Sequence, residues 1–218
     1  MTDPAPAQII DGLIAEYGAL ADLIATLPSH GWDTGTRCAG WRVRDVAGHV
    51  LGGATDVRDR RAGHRTPDQQ AAAHRDLRPR EAARTLREAA QGVRALLERL
   101  DERTWSQPGP VPGRTVGDSV LSLWHDTYVH ADDIRAALGM PPARGPGLEA
   151  SVRWLALLLD RRGWGPARLL LDGLGTFHIG EGGPDLRGDP HDFVLVATGR
   201  ADPAAFAAPP AVNVYAPR

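Results

Sequence analysis

Leu123 to Gly139 reads LWHDTYVHADDIRAALG and places two histidines and three aspartates among residues that otherwise favour burial. Asp126 and His130 are four residues apart. On a helix with about 3.6 residues per turn, such a pair points the same way. A carboxylate and an imidazole aimed together are a common way for a helix to offer two ligands to one cation. His125 is five residues from His130 and projects to a different side, though it could replace Asp126 on a locally rotated helix. A third ligand must come from another segment. His49 is the best available, because it lies on an apolar face between Val46 and Gly53, where an unpaired imidazole would be costly. Two histidines and one carboxylate leave positions open for water or substrate, as in catalytic zinc and non-haem iron sites. Asp133, one turn beyond His130, could hold that ring from behind, face solvent or pair with an arginine. His30, His64 and His74 stand in polar loop contexts and read as surface residues, while His178 and His191 receive no role.

Four long helices must position these side chains. Ile9, Leu13, Ile14, Tyr17, Leu20, Ile24 and Leu27 recur at spacings of three and four, which predicts a helix over residues 7–27 that Pro28 ends. The second helix, residues 43–61, carries His49 on one face with Val46, Val50, Gly53 and Val57. It also contains Gly48, Gly52 and Gly53, each costing about 1 kcal/mol against alanine. They mark either close backbone approach to a neighbour or ligand, or plain marginality. The third helix, residues 80–100, opposes an arginine- and glutamate-rich solvated face to an Ala/Leu/Val face. The fourth opens at Thr115, with Asp118 as capping partner, and runs to Leu138, where Gly139 and Pro141-Pro142 stop it. Such helices predict an antiparallel bundle over residues 1–140.

PPARGPG, residues 141–147, reads as a linker. Residues 147–218 read as a small α+β domain with a helix over 148–162 and strands in ARLLLDG, GTFHIG and VNVYA. HDFVLVATGR fits a buried strand or a short helix equally well, and residues 201–210 read as a surface connection. The expected fold class is mainly α: a four-helix bundle followed by this small C-terminal domain.

Composition narrows the chemistry. With 218 residues, 42% hydrophobic and 24% charged, and a net charge of −2, the chain is an ordinary globular protein without a basic field for nucleic acid. All 25 basic residues are arginines, so a lysine Schiff base and pyridoxal phosphate chemistry are excluded. The single cysteine, Cys38, excludes an internal disulfide and a multi-thiolate zinc site. MTDPAPAQII has no basic region or long apolar run, and no window approaches about 18 apolar residues. Neither a signal peptide nor a membrane span is expected, and the expected location is cytoplasmic.

Two motifs carry a resemblance. RCAGWRVRDVAGHVLGG and DTYVHADDIRAALG, in this order and separation, resemble the second- and fourth-helix signatures of the DinB-like, mycothiol-dependent maleylpyruvate isomerase family. The resemblance extends over most of the chain, though the C-terminal segment ending in GR is the less specific part. It implies a DinB-like up-down-down-up four-helix bundle and a smaller C-terminal domain. It implies a divalent metal, usually zinc, held by residues matching His49, Asp126 and His130, and mycothiol as cofactor or co-substrate. An arginine of the C-terminal domain assists in characterised relatives, and Arg200 in TGR is the match. The family's acid is usually glutamate. Asp126 is shorter by one methylene, so the helices must approach more closely or a water must bridge. Cys38 lies where the family often has cysteine and is assigned a structural role.

The chemistry implied is isomerisation or thiol S-transfer on a small electrophilic substrate, because a cation favours the thiolate of a bound thiol. A DinB-like metal-binding protein without thiol chemistry, either a hydrolase or a non-catalytic bundle, is the alternative. The expected partners are the substrate and a low-molecular-weight thiol, with no nucleic acid or membrane, in a monomer or a homodimer.

Overall fold

The computed structural model describes residues 4–206 and 208–216. The chain divides into two compact units, Asp3–Ala143 and Arg144–Arg218.

The first unit is built on four long helices: α1 (Pro6–Ala25), α3 (Val43–Arg58), α5 (Pro79–Leu97) and α7 (Val116–Ala137). Short helices α2 (Ser29–Trp32), α4 (Pro67–Ala73) and α6 (Glu102–Trp105) lie in the connections. The predicted caps form. Thr115 Oγ1 accepts from Asp118 N at 3.0 Å and Asp118 Oδ2 accepts from Thr115 N at 2.9 Å, which closes the start of α7. Gly139 ends it in the left-handed region at φ 67°. Leu13, Tyr17 and Leu20 of α1, Val46 of α3, Leu86 and Val93 of α5, and Tyr128 and Ile134 of α7 are buried in the core.

Pairwise contacts set the helix directions. Arg87 pairs with Asp22 and Arg94 with Asp11, so α1 and α5 are antiparallel. Gly12 lies under Trp124, whose Nε1 donates to Glu16, and Tyr17 bonds Thr127, so α1 and α7 are parallel. Gly92 packs on Arg58 near the ends of α5 and α3, making that pair parallel. The connectivity is up-down-down-up, and two of the four neighbouring pairs are parallel rather than antiparallel throughout.

A parallel α3–α5 pair requires the chain to return along α3 before α5 begins, and α4 is that return. No helix is predicted there from sequence, although Thr66 and Gln69 form a capping box behind Pro67 at N1. The return path explains two of the three glycines. A Cβ on Gly48 would stand 2.9 Å from the Ala71 carbonyl oxygen, and one on Gly52 would stand 2.5 Å from Gln70 Cβ. A Cβ on Gly53 would meet nothing within 4 Å. Gly52→Ala is therefore expected to destabilise by about 1–3 kcal/mol through overpacking. Gly53→Ala is expected to stabilise by about 0.5–1 kcal/mol through helix propensity. Urea unfolding of the two variants reads these opposite signs.

The second unit contains α8 (Pro146–Arg161), a three-stranded sheet of β1 (Ala167–Leu171), β2 (Gly175–Ile179) and β3 (Asp185–Gly188), and α9 (Pro190–Ala197). The sheet order is β2-β1-β3; β1 runs antiparallel to β2 and parallel to β3. HDFVLVATGR resolves as helix, because Asp189 caps the amides of His191 and Asp192 and Pro190 occupies the first turn. The expected strand VNVYA is not one. Val212 and Val214 are both buried, so the alternation is real, but Val212 closes a 3-10 turn and Asn213 Oδ1 bends the chain by accepting from Tyr215 N. The third strand is Asp185–Gly188, a polar run with little β propensity. Within 201–210, Phe206 is buried and stacks on Phe193 with ring centroids 5.4 Å apart, so this segment is not wholly a surface connection. Among the described residues, no helix is long and apolar enough to cross a membrane.

Candidate metal centre

The second helical turn of α3 and the middle of α7 bring His49, Asp126 and His130 together. His49 Nε2 lies 3.3 Å from Asp126 Oδ2, and His130 Nε2 lies 3.5 Å from Asp126 Oδ1. One carboxylate thus spans both imidazoles, and the shorter acid lies close to both rings. The rings of His49 and His130 meet edge to face, with centroids 4.9 Å apart. Asp126 keeps 39% of its side chain accessible, while the imidazole side chains keep 11% and 12%. Asp126 is the most exposed side chain of the three, although its carboxylate oxygens lie against the two rings. His125 is buried and stands outside this group, though its charge is felt at Asp126.

Each ring has a distinct inner and outer nitrogen. His130 Nδ1 lies 3.1 Å from Asp133 Oδ2. Asp133 is fully buried; its other oxygen accepts from Arg37 Nε at 3.1 Å, and Oδ2 also accepts from Cys38 Sγ at 3.1 Å. Arg37 in turn donates to Asp132 at 2.6 Å. The loop before α3 is thereby pinned to α7, and Cys38 takes a structural place beside the cluster. Trp41 of the same loop lies near both rings, with centroids 5.3 Å from His49 and 6.3 Å from His130, and its Nε1 donates to Asp68 at 3.0 Å.

Electrostatics couples the three residues. Burial disfavours the Asp126 carboxylate, but His130 and His49 outweigh that and hold its pKa well below the usual carboxylate range. Burial also disfavours the His49 imidazolium. Asp126, then the Gln70 side chain and Asp68, outweigh it and raise its pKa above the ordinary histidine value. A histidine raised on folding adds stability that is fully present below its unfolded pKa of about 6.5 and fades as pH rises through the folded value. Metal-free protein is accordingly expected to lose stability as pH rises from about 6.5, and His49→Ala is expected to remove that slope. Thermal unfolding across pH with a chelator present checks this.

The donor set fits a divalent cation. Two imidazole nitrogens and a carboxylate oxygen lie within 4.8 Å of one another, and His130 has its other nitrogen on a carboxylate, as metal-bound histidines commonly do. Two further groups of three exist among the described residues. Cys38, His130 and Asp133 share the outer face of His130, but Asp133 is committed to Arg37. Asp189, His191 and Asp192 sit where Asp189 is already the cap of α9 and pairs with Arg144.

Other expectations fall differently. Arg200 belongs to the second unit, just after α9, with Nη1 3.5 Å from the Thr198 carbonyl oxygen. His30 and His64 are exposed, as expected. His74 is half-buried with Nε2 enclosed, because α4 packs it toward α3, and burial lowers its pKa. Sequence reading passed over Arg37, Gln70, Asp56 and Arg65. Only the Thr66–Gln69 capping pair could have signalled the helix that carries Gln70.

Comparisons with known proteins bear on the fold and the family. No curated protein matches the chain. A crystal structure of a mycothiol-dependent maleylpyruvate isomerase is similar in fold, with a TM-score of 0.68 at 16% identity over 92% of this chain and 93% of that one. A histidine-to-alanine mutant of such an isomerase gives a TM-score of 0.67 at the same identity and coverage. The family model for the mycothiol maleylpyruvate isomerase N-terminal domain matches residues 13–135, which span the bundle and all three clustered side chains. The chain belongs to the family of the mycothiol maleylpyruvate isomerase N-terminal domain.

Proposed function

We propose that this protein is a metal-dependent enzyme that uses mycothiol to isomerise, or to transfer the thiol to, a small electrophilic substrate. One observation carries the reading: His49 Nε2, the Asp126 carboxylate and His130 Nε2 converge with an accessible side, and the outer nitrogen of His130 is fixed by Asp133. His49, Asp126 and His130 are the proposed ligands. A divalent cation held there, zinc foremost, favours the thiolate of an arriving thiol. The protein's own part would be to aim both inner nitrogens at the cation, to offset its charge with Asp126, and to hold α7 in register through Arg37 and Asp133. Trp41 supplies an apolar wall beside the rings. Bound there, mycothiol would supply a reversible nucleophile for an electrophilic carbon, serving isomerisation where the thiolate leaves again and thiol transfer where the adduct takes up a proton and keeps the thiol. The substrate and the thiol are the proposed partners, in a cytoplasmic protein.

The test is zinc-loaded protein with mycothiol and a panel of electrophiles, maleylpyruvate included. Turnover that requires both zinc and thiol supports the reading. Turnover with zinc alone would instead point to hydrolysis by a metal-activated water. Arg200 enters through the resemblance. Arg200→Ala is expected to raise KM for a carboxylate-bearing substrate, consistent with the paired hydrogen bonds arginine makes to carboxylates, and to leave zinc content unchanged.

A further inference from the structure

The two histidines differ in what stands behind them. The outer nitrogen of His130 faces a carboxylate. The outer nitrogen of His49, Nδ1, is buried and has no partner of good hydrogen-bond geometry, although the Gln70 side chain reaches this ring. Gln70 packs over Gly52 and donates to Asp56, three and seven residues along α3 from His49 and on the same face, and with Nε2 facing Asp126 the ring nitrogen left for it is Nδ1.

The orientation of the Gln70 amide is decided by its other neighbour. Its Nε2 donates to Asp56 Oδ2 at 2.8 Å. Asp56 is buried, and its other oxygen accepts from Arg65 Nε at 2.8 Å. A carboxylate only accepts, so the amide's NH2 end must stay on Asp56, and the carbonyl Oε1 is the end left for His49. An acceptor behind Nδ1 keeps the proton there, so Nε2 is the nitrogen free to give up its proton to a cation beside Asp126 and His130. The close seat of α4 that places Gln70 depends on Gly48 and Gly52, whose missing Cβ atoms admit Ala71 and Gln70.

We infer that Gln70 is a positioning residue for His49: backed by Asp56 and Arg65, it fixes the tautomer and tilt of the ring so that Nε2 is the ligating nitrogen. This rests on the metal-centre reading above. It also makes the two histidines unequal, one backed by a neutral amide and the other by a carboxylate.

The test compares zinc affinity, by competition with a chelator, in wild type, Gln70→Met and Arg75→Ala. Arg75 donates to Asp45 at 3.0 Å and fastens the segment after α4 to α3 without a hydrogen bond to Gln70. The expected result is a loss of about 10–100-fold in Gln70→Met with near wild-type affinity in Arg75→Ala. Equal losses in both would reduce Gln70 to a packing role and overturn the inference, as would wild-type affinity in Gln70→Met. Nitrogen-15 NMR of the zinc-loaded wild type keeps the question decidable whatever the variants do. A proton on His49 Nδ1 is expected, and one on Nε2 with zinc on Nδ1 would overturn the inference. Failure of the wild type to bind zinc would instead remove the metal centre itself.

Discussion

Replacing His130 with alanine is expected to abolish stoichiometric zinc binding while the helical bundle persists. His130 joins the inner cluster to a buried carboxylate, with Nε2 toward Asp126 and Nδ1 on Asp133. Losing a ligand should exceed the about 10–100-fold loss typical of an outer partner. The helix itself should survive. Val120, Trp124, Tyr128 and Ile134 bury the other face of α7, and alanine is the better helix former. Equilibrium dialysis for zinc, with circular dichroism for the fold, separates the two effects. Undiminished zinc binding would remove His130 from the ligand set.

Asp133→Ala is the second large effect, and it acts on stability as well as on metal. The buried carboxylate accepts from Arg37 and Cys38 and engages His130, each at 3.1 Å. Breaking a buried ion pair typically costs ~3–5 kcal/mol. Arg37 keeps Asp132 and is 28% exposed, so a loss of about 2–3 kcal/mol is expected here. Zinc affinity should fall about 10–100-fold as the ring of His130 loses its support. Cys38→Ala removes only a weak neutral donor and should cost no more than about 1 kcal/mol. Chemical denaturation and zinc competition on the two variants check that order.

The bundle and the cluster were legible because both rest on local periodicity. Asp126 and His130 share a face through their four-residue spacing, and His49 stood out as an imidazole on an apolar stripe. The caps at Thr115 and Gly139 follow from local chemistry too. What stayed hidden is non-local. Arg37 meets Asp132 and Asp133 across more than ninety residues, and nothing in TGTRC announces it. Gly48 and Gly52 signalled a close approach, but only the return of α4 identifies the neighbour. In the second unit, Val212 and Val214 produced strand-like alternation inside a turn, while Asp185–Gly188 pairs with β1 despite a polar sequence. Short segments there take their state from packing, which propensity does not encode.

The most direct test of the central claim is the zinc content of the purified wild-type chain after saturation and removal of excess metal. The account predicts one ion per chain, lost on substitution of His49, Asp126 or His130. A wild-type chain that stays metal-free at saturating zinc, with its bundle intact, would contradict it.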